Sequence, residues 1–69
     1  MEFIDQGDLL VVNDYSYLVG DDVFLGSIKT SSKDDGKFYF YPSRSLRKVG
    51  LTCRQLRDIA AKLSELNGD

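Results

Sequence analysis

In one stretch of this chain the apolar residues recur at helical spacing, and that stretch constrains everything before it. Leu56, Ile59, Ala60, Leu63 and Leu66 fall on one stripe of a 3.6-residue helix. Thr52 with Gln55 three residues later forms a capping box, and Leu51 and Leu56 stand where a hydrophobic staple closes. Arg54–Asp58 and Asp58–Lys62 are spaced as i,i+4 ion pairs on the outer side, and Asn67-Gly68 is a stop signal. The spacing predicts a helix over about residues 52–67. A stripe of this kind has to be buried against another layer, and the residues before it read as sheet.

Lys37-Phe38-Tyr39-Phe40-Tyr41 is the clearest strand, ending at Pro42, the sole proline. Its alternation puts Phe38 and Phe40 on one face, assigned to the helix side, and Lys37, Tyr39 and Tyr41 on the other. Val23 to Thr30 reads as a second strand, joined to the first by a polar link whose Asp35-Gly36 is a hairpin signal. Tyr15 to Val19 reads as a third strand, turning through Gly20-Asp21-Asp22. Leu9 to Val12 is either a separate fourth strand, turning at Asn13-Asp14, or the start of one long bent strand over 9–19. The separate strand is the reading taken. The expected architecture is a single α+β domain over residues 1–69. In it an antiparallel meander of three or four strands packs on the C-terminal helix.

Size and composition narrow the function classes. A chain of 69 residues buries only about 60% of its unfolded surface, and such a core supplies ~3–5 kcal/mol. A single cysteine forms no internal disulfide, and without histidine the usual nitrogen and sulfur zinc sites are excluded. No apolar run approaches the ~20 residues of a membrane span. The opening Met-Glu-Phe-Ile-Asp lacks the basic segment of a secretory signal, and a lone thiol suits a reducing compartment, so a cytoplasmic location is expected. Charge is split along the chain. Residues 1–36 hold eight acids against two lysines, net −6, and residues 37–69 hold seven bases against three acids, net +4, which sum to the overall −2. A dipolar chain of this kind is suited to a charged partner.

Catalytic chemistry finds no foothold. There is no histidine to act as a base or to orient a nucleophile. Asp21-Asp22 and Asp34-Asp35 read as turn formers in water, and no glycine pattern cradles a phosphate. Cys53 falls at the first helical position beside Arg54, where a thiolate is favoured. It has no partner base or resolving cysteine, so it reads as a small space-filler. No catalytic residue, cofactor or metal is assigned. The aspartates at 8, 14, 21, 22, 34 and 35 read as ordinary turn residues; the alternative is that they cluster at one end of the sheet as a surface able to imitate phosphates.

The constellation with most chemical content is Tyr39 and Tyr41 on one strand face, followed by Arg44, Arg47 and Lys48. Tyrosine beside arginine is characteristic of protein–protein hot spots. The same pairing serves single-stranded nucleic acid by stacking and phosphate contact. The plain alternative is cross-strand packing against Tyr15 or Tyr17 with a solvated basic loop.

The span Gly36-Lys37-Phe38-Tyr39-Phe40-Tyr41-Pro42, with Leu51-Thr52, Gln55-Leu56-Arg57, Ile59-Ala60, Lys62-Leu63 and Leu66-Asn67, resembles short proteins encoded by bacteriophages and prophages. These too are strand-rich at the front and closed by one helix. The likeness covers less than half the chain, rests on structural motifs and carries over no functional residue. It implies a small accessory protein that binds a host macromolecule, sometimes as an inhibitor. The expectation is therefore a non-enzymatic protein-binding module, with Tyr39, Tyr41, Arg44, Arg47 and Lys48 as its contact surface. A single-stranded nucleic-acid module on the same residues is one alternative. A structural homodimer, formed through the open sheet face or an edge strand, is the other.

Overall fold

The computed structural model describes residues 1–16, 19–30, 36–46 and 50–68. Four strands, β1 (Glu2–Asp5), β2 (Leu10–Ser16), β3 (Asp21–Thr30) and β4 (Phe38–Pro42), pair in chain order as an antiparallel meander, and one helix, α1 (Cys53–Asn67), follows. The α+β arrangement of an antiparallel sheet with a C-terminal helix is therefore the one the periodicities predict.

The front of the chain departs from expectation. Leu9–Val12 is not a separate strand turning at Asn13-Asp14: both residues lie inside β2, a single strand shorter than the 9–19 alternative, and Val19 lies in the turn that follows. The fourth strand is β1, over residues too few to show a period. Its turn into β2 is local: Gln6 N–H donates to Leu9 O at 2.9 Å, and Gly7, at φ 97°, donates to Asp5 Oδ1 at 2.8 Å. Asp21 and Asp22 are not turn residues but open β3, because pairing with Ser16 and Tyr15 draws them into the ladder. Tyr17, Leu18, the link 31–35 and residues 47–49, with their predicted strand end, turn and anchor Val49, lie outside the described residues.

A bulge in β3 sets which side chains face which way. Val12 pairs with Gly26 and Asn13 with Phe24, leaving Leu25 as an extra residue. Ile28, Gly26, Leu25 and Val23 all turn toward the helix layer, and Phe24 is turned to the opposite face. Gly26 has φ 153°, and a Cβ there would meet the Tyr41 carbonyl and stand 2.9 Å from the Phe40 ring. The ring of Phe40 thus lies over the place where other residues carry a side chain.

Val12, Leu25, Ile28 and Ile59 are buried, and Phe3, Phe38, Phe40, Leu63 and Leu66 pack around them. Thr52 caps α1 as expected: its Oγ1 accepts from Gln55 N–H at 3.1 Å, and Gln55 Oε1 accepts from Thr52 N–H at 2.9 Å. Such a cap is worth about 1 kcal/mol. Gly68, left-handed at φ 73°, ends the helix by donating its N–H to Ser64 O.

The buried stripe is narrower than predicted. Leu56 is 54% exposed and Ala60 is exposed, so neither joins Ile59, Leu63 and Leu66 in the core. The sheet meets the helix along a line centred on Ile59, and Leu51 rather than the staple pair reaches the core. Nor do the i,i+4 pairs form among the described residues. Lys62 reaches Glu65 at 3.4 Å, with its ammonium 5.7 Å from the centre of the Phe3 ring. No helix of the described residues is long and apolar enough to cross a membrane.

Candidate functional site

The helix covers one face of the sheet, and the other face is built almost entirely by register. Ile4, Val11, Ser27 and Tyr41 line up as one row across all four strands. One pair step toward one end, Lys29 stands beside Tyr39. Toward the other end come Glu2, Asn13 and Phe24, then Tyr15 beside Asp22. Each of these alternates with a residue packed on the helix side, so their direction follows from the pleat.

This face is aromatic and accessible. Tyr39 is 40% exposed, Tyr41 37%, Phe24 47% and Tyr15 48%. Lys29 Nζ sits 4.8 Å from the centre of the Tyr41 ring, a cation–π contact that holds the ammonium over the row's aromatic end. The phenylalanines of β4 pack inward while its tyrosines turn outward, as the alternation of β4 requires.

Arg44 is exposed in the turn after β4. That turn is pinned to β3 by Ser43, whose N–H donates to Leu25 O and whose Oγ donates to Phe24 O, both at 2.8 Å. Leu46 anchors the far side to the core, and Gly50 N–H donates to Leu46 O at 2.7 Å. Of the five residues picked from sequence, Tyr39, Tyr41 and Arg44 therefore belong to β4 and its exit, and Arg47 and Lys48 lie outside the described residues.

Sequence reasoning missed Phe24 and Lys29. Lys29 was legible in principle, because a hairpin register between residues 23–30 and 37–41 places it opposite Tyr39. Phe24 was not, since only the bulge turns it outward. The plain alternative, packing of Tyr39 and Tyr41 against Tyr15 or Tyr17, fails for Tyr15, because β3 separates β4 from β2 and Tyr15 pairs beside Asp22 at the far end of β3; Tyr17 lies outside the described residues.

The acidic residues do not gather at one end. Asp8 lies in the β1–β2 turn, and Asp21 and Asp22 lie at the opposite end of the sheet. Asp14 faces the helix layer, where Gln55 Nε2 donates to its Oδ2 at 2.9 Å and the Met1 α-amino group stands 3.4 Å from its Oδ1. The Gln55 hydrogen bond, helped by the Tyr15 N–H and the amino group, holds its carboxyl below the usual 3.8 against the opposing effect of desolvation. Asp14 is thus a structural joint between strand, chain start and helix. Cys53 is exposed at the start of α1. No group of three or more acidic or cysteine side chains among the described residues could hold a metal ion. Comparison with family models, with curated proteins and with solved structures finds no match.

Proposed function

We propose that this chain is a small non-enzymatic binding protein that docks on another protein through its helix-free sheet face. The observation that carries this reading is the exposed aromatic set Phe24, Tyr39 and Tyr41 on one face of the sheet, with Lys29 and Arg44 beside it. Tyrosines offer apolar area with a polar tip at little entropic cost, and cations beside them suit carboxylates on a partner. The likeness to short phage proteins points the same way, to an accessory factor that modulates or inhibits a host protein.

Single-stranded nucleic acid is the weaker reading. Lys29 already lies over the Tyr41 ring on which a base would stack, and Glu2 and Asp22 place negative charge on the same face. Nucleic-acid binding would show a steep loss of affinity with salt.

The test is a double substitution, Tyr39→Ala with Arg44→Ala. It should leave the circular dichroism spectrum and the unfolding transition close to native and lose the partner in pull-down. Retention of every partner by the folded variant overturns the choice of surface.

A further inference from the structure

The two edges of the sheet are finished differently. In the β1–β2 turn Gln6 N–H donates to Leu9 O, and hydrogen-bonded pairs recur at every second residue of an antiparallel ladder. Glu2 and Ile4 therefore turn their backbone groups toward Asn13 and Val11, and Phe3 and Asp5 turn theirs out of the sheet. The same phase, carried through Val12–Gly26 and Ser27–Tyr41, turns the backbone groups of Phe38 out of the sheet at β4. There Asn67 takes both, accepting the N–H at 2.7 Å and donating to the carbonyl at 3.1 Å, and Pro42 ends the strand without an N–H to offer. The β1 edge has no such cover among the described residues.

We infer that a second copy of the chain adds its own β1 to this edge, antiparallel, about a two-fold axis at Ile4, so that Phe3 of each copy pairs with Asp5 of the other. This register uses every outward backbone group of β1, because its two Phe3–Asp5 pairs exchange four hydrogen bonds. Centring the axis on Phe3 or on Asp5 keeps only two of them within β1, and the Asp5 register also sets carboxylate against carboxylate. With the axis at Ile4, the two Ile4 side chains meet as the close, non-hydrogen-bonded pair on the helix-free face, and Glu2 stands opposite Gln6. No like charges then face each other across the seam. The contact is isologous and closes on itself, as a two-fold interface requires. It uses the edge farthest from β4, so it goes beyond the docking reading and does not rest on it.

Charge argues for a copy of this chain rather than for any extended strand. Phe3 and Asp5 both face the helix layer, Phe3 in the groove between β1 and α1 and Asp5 beside Leu10 and Leu66. Lys62 reaches into that groove from α1, with its ammonium 5.7 Å from the centre of the Phe3 ring. In the seam, Asp5 of the second copy lies directly beside Phe3 on the same face, about 5.5 Å away between Cα atoms and within the reach of the lysine. The two-fold axis makes this contact twice. Asp5 Oδ1 already accepts from Gly7 N–H at 2.8 Å, which leaves Oδ2 for the ammonium. In its own chain Lys62 meets only Glu65 at 3.4 Å, a carboxylate that is 71% exposed, and such surface pairs compete weakly. The edge offers a carboxylate and the groove beside it a cation, so the chain is its own complement here.

The experiment is sedimentation equilibrium of the full chain over a concentration series reaching about 1 mM, the native protein being expected at twice its 7.8 kDa. A full-length chain synthesised with an N-methylated Phe3 loses the outward donor and keeps the side chain and the β1–β2 ladder. Its circular dichroism should be native and its association weaker by about tenfold or more, since two hydrogen bonds of the seam are lost. Asp5→Lys and Lys62→Glu test the charge contact. Each protein alone sets like charges together at both contacts and should sediment at single mass. An equimolar mixture sets opposite charges together at both and should recover the double mass, which a contact within one chain could not produce. A native chain that stays at single mass throughout overturns the inference. So does a dimer that N-methylation leaves unchanged, or a mixture that associates no better than its components. None of these results touches the docking reading, which the pull-down with the Tyr39→Ala, Arg44→Ala protein decides separately.

Discussion

Gly26 and Asp14 show how single residues decide the geometry of this fold. Gly26 sits where β3 bulges, with the Tyr41 carbonyl and the Phe40 ring in the space of a Cβ. Alanine there has no room and an unfavourable φ, so Gly26→Ala should cost at least about 2 kcal/mol in urea unfolding. A variant of native stability would show that β3 and β4 part easily. Asp14 matters through its charge. In the unfolded chain its carboxyl titrates near 3.8, and in the fold it titrates lower, chiefly because Gln55 donates to it. A lowered folded value means stabilisation that is fully present above the unfolded value and lost as pH falls through the folded one. Asp14→Asn should therefore flatten the decline in stability below about pH 4, measured as urea midpoints over a pH series. An unchanged slope would assign the acid sensitivity to other carboxylates.

At the scale of elements, the helix and β4 are fastened twice. Leu63 and Leu66 pack on the core that Phe38 and Phe40 complete, and Asn67 at the last helical position takes the place of a fifth strand beside Phe38. Asn67→Ala removes two partly buried hydrogen bonds and bares the β4 edge. A loss of about 1–2 kcal/mol is expected, with faster hydrogen exchange at the Phe38 amide. Exchange that does not change would mean that water already reaches that amide. The helix was legible from its cap, stripe and stop signal, all of which act within a few residues. β4 was legible from its period. The role of Asn67 was not, because it joins residues 29 apart and reads in sequence as a stop signal alone.

For the whole molecule, a small core separates two unlike faces. Ile28, fully buried at the centre of the sheet, is one of four buried hydrophobic residues among those described. Ile28→Ala should cost about 2–4 kcal/mol, most of what a core of this size supplies, and leave a large unfolded fraction visible by calorimetry. Retention of a sharp native transition would mean that stability comes from elsewhere, such as association of copies. The candidate face was partly visible beforehand. Tyr39 and Tyr41 follow from strand alternation, while Lys29 needs the hairpin register and Phe24 needs the bulge.

Local chemistry in the chain was enough to determine a capped amphipathic helix, a β4 whose phenylalanines and tyrosines part to opposite sides, and the pairing of β3 with β4. These follow from spacing, turn residues and side-chain branching over a few neighbours. Tertiary structure alone decided that β2 runs unbroken through Asn13-Asp14, that β1 joins the sheet, and that Leu25 goes in while Phe24 goes out. It also decided that Asp14 is a joint rather than part of an acidic surface. Each of those outcomes depends on which distant strand or helix lies alongside, and a register set by packing over the whole sheet leaves no trace in the period of any one segment.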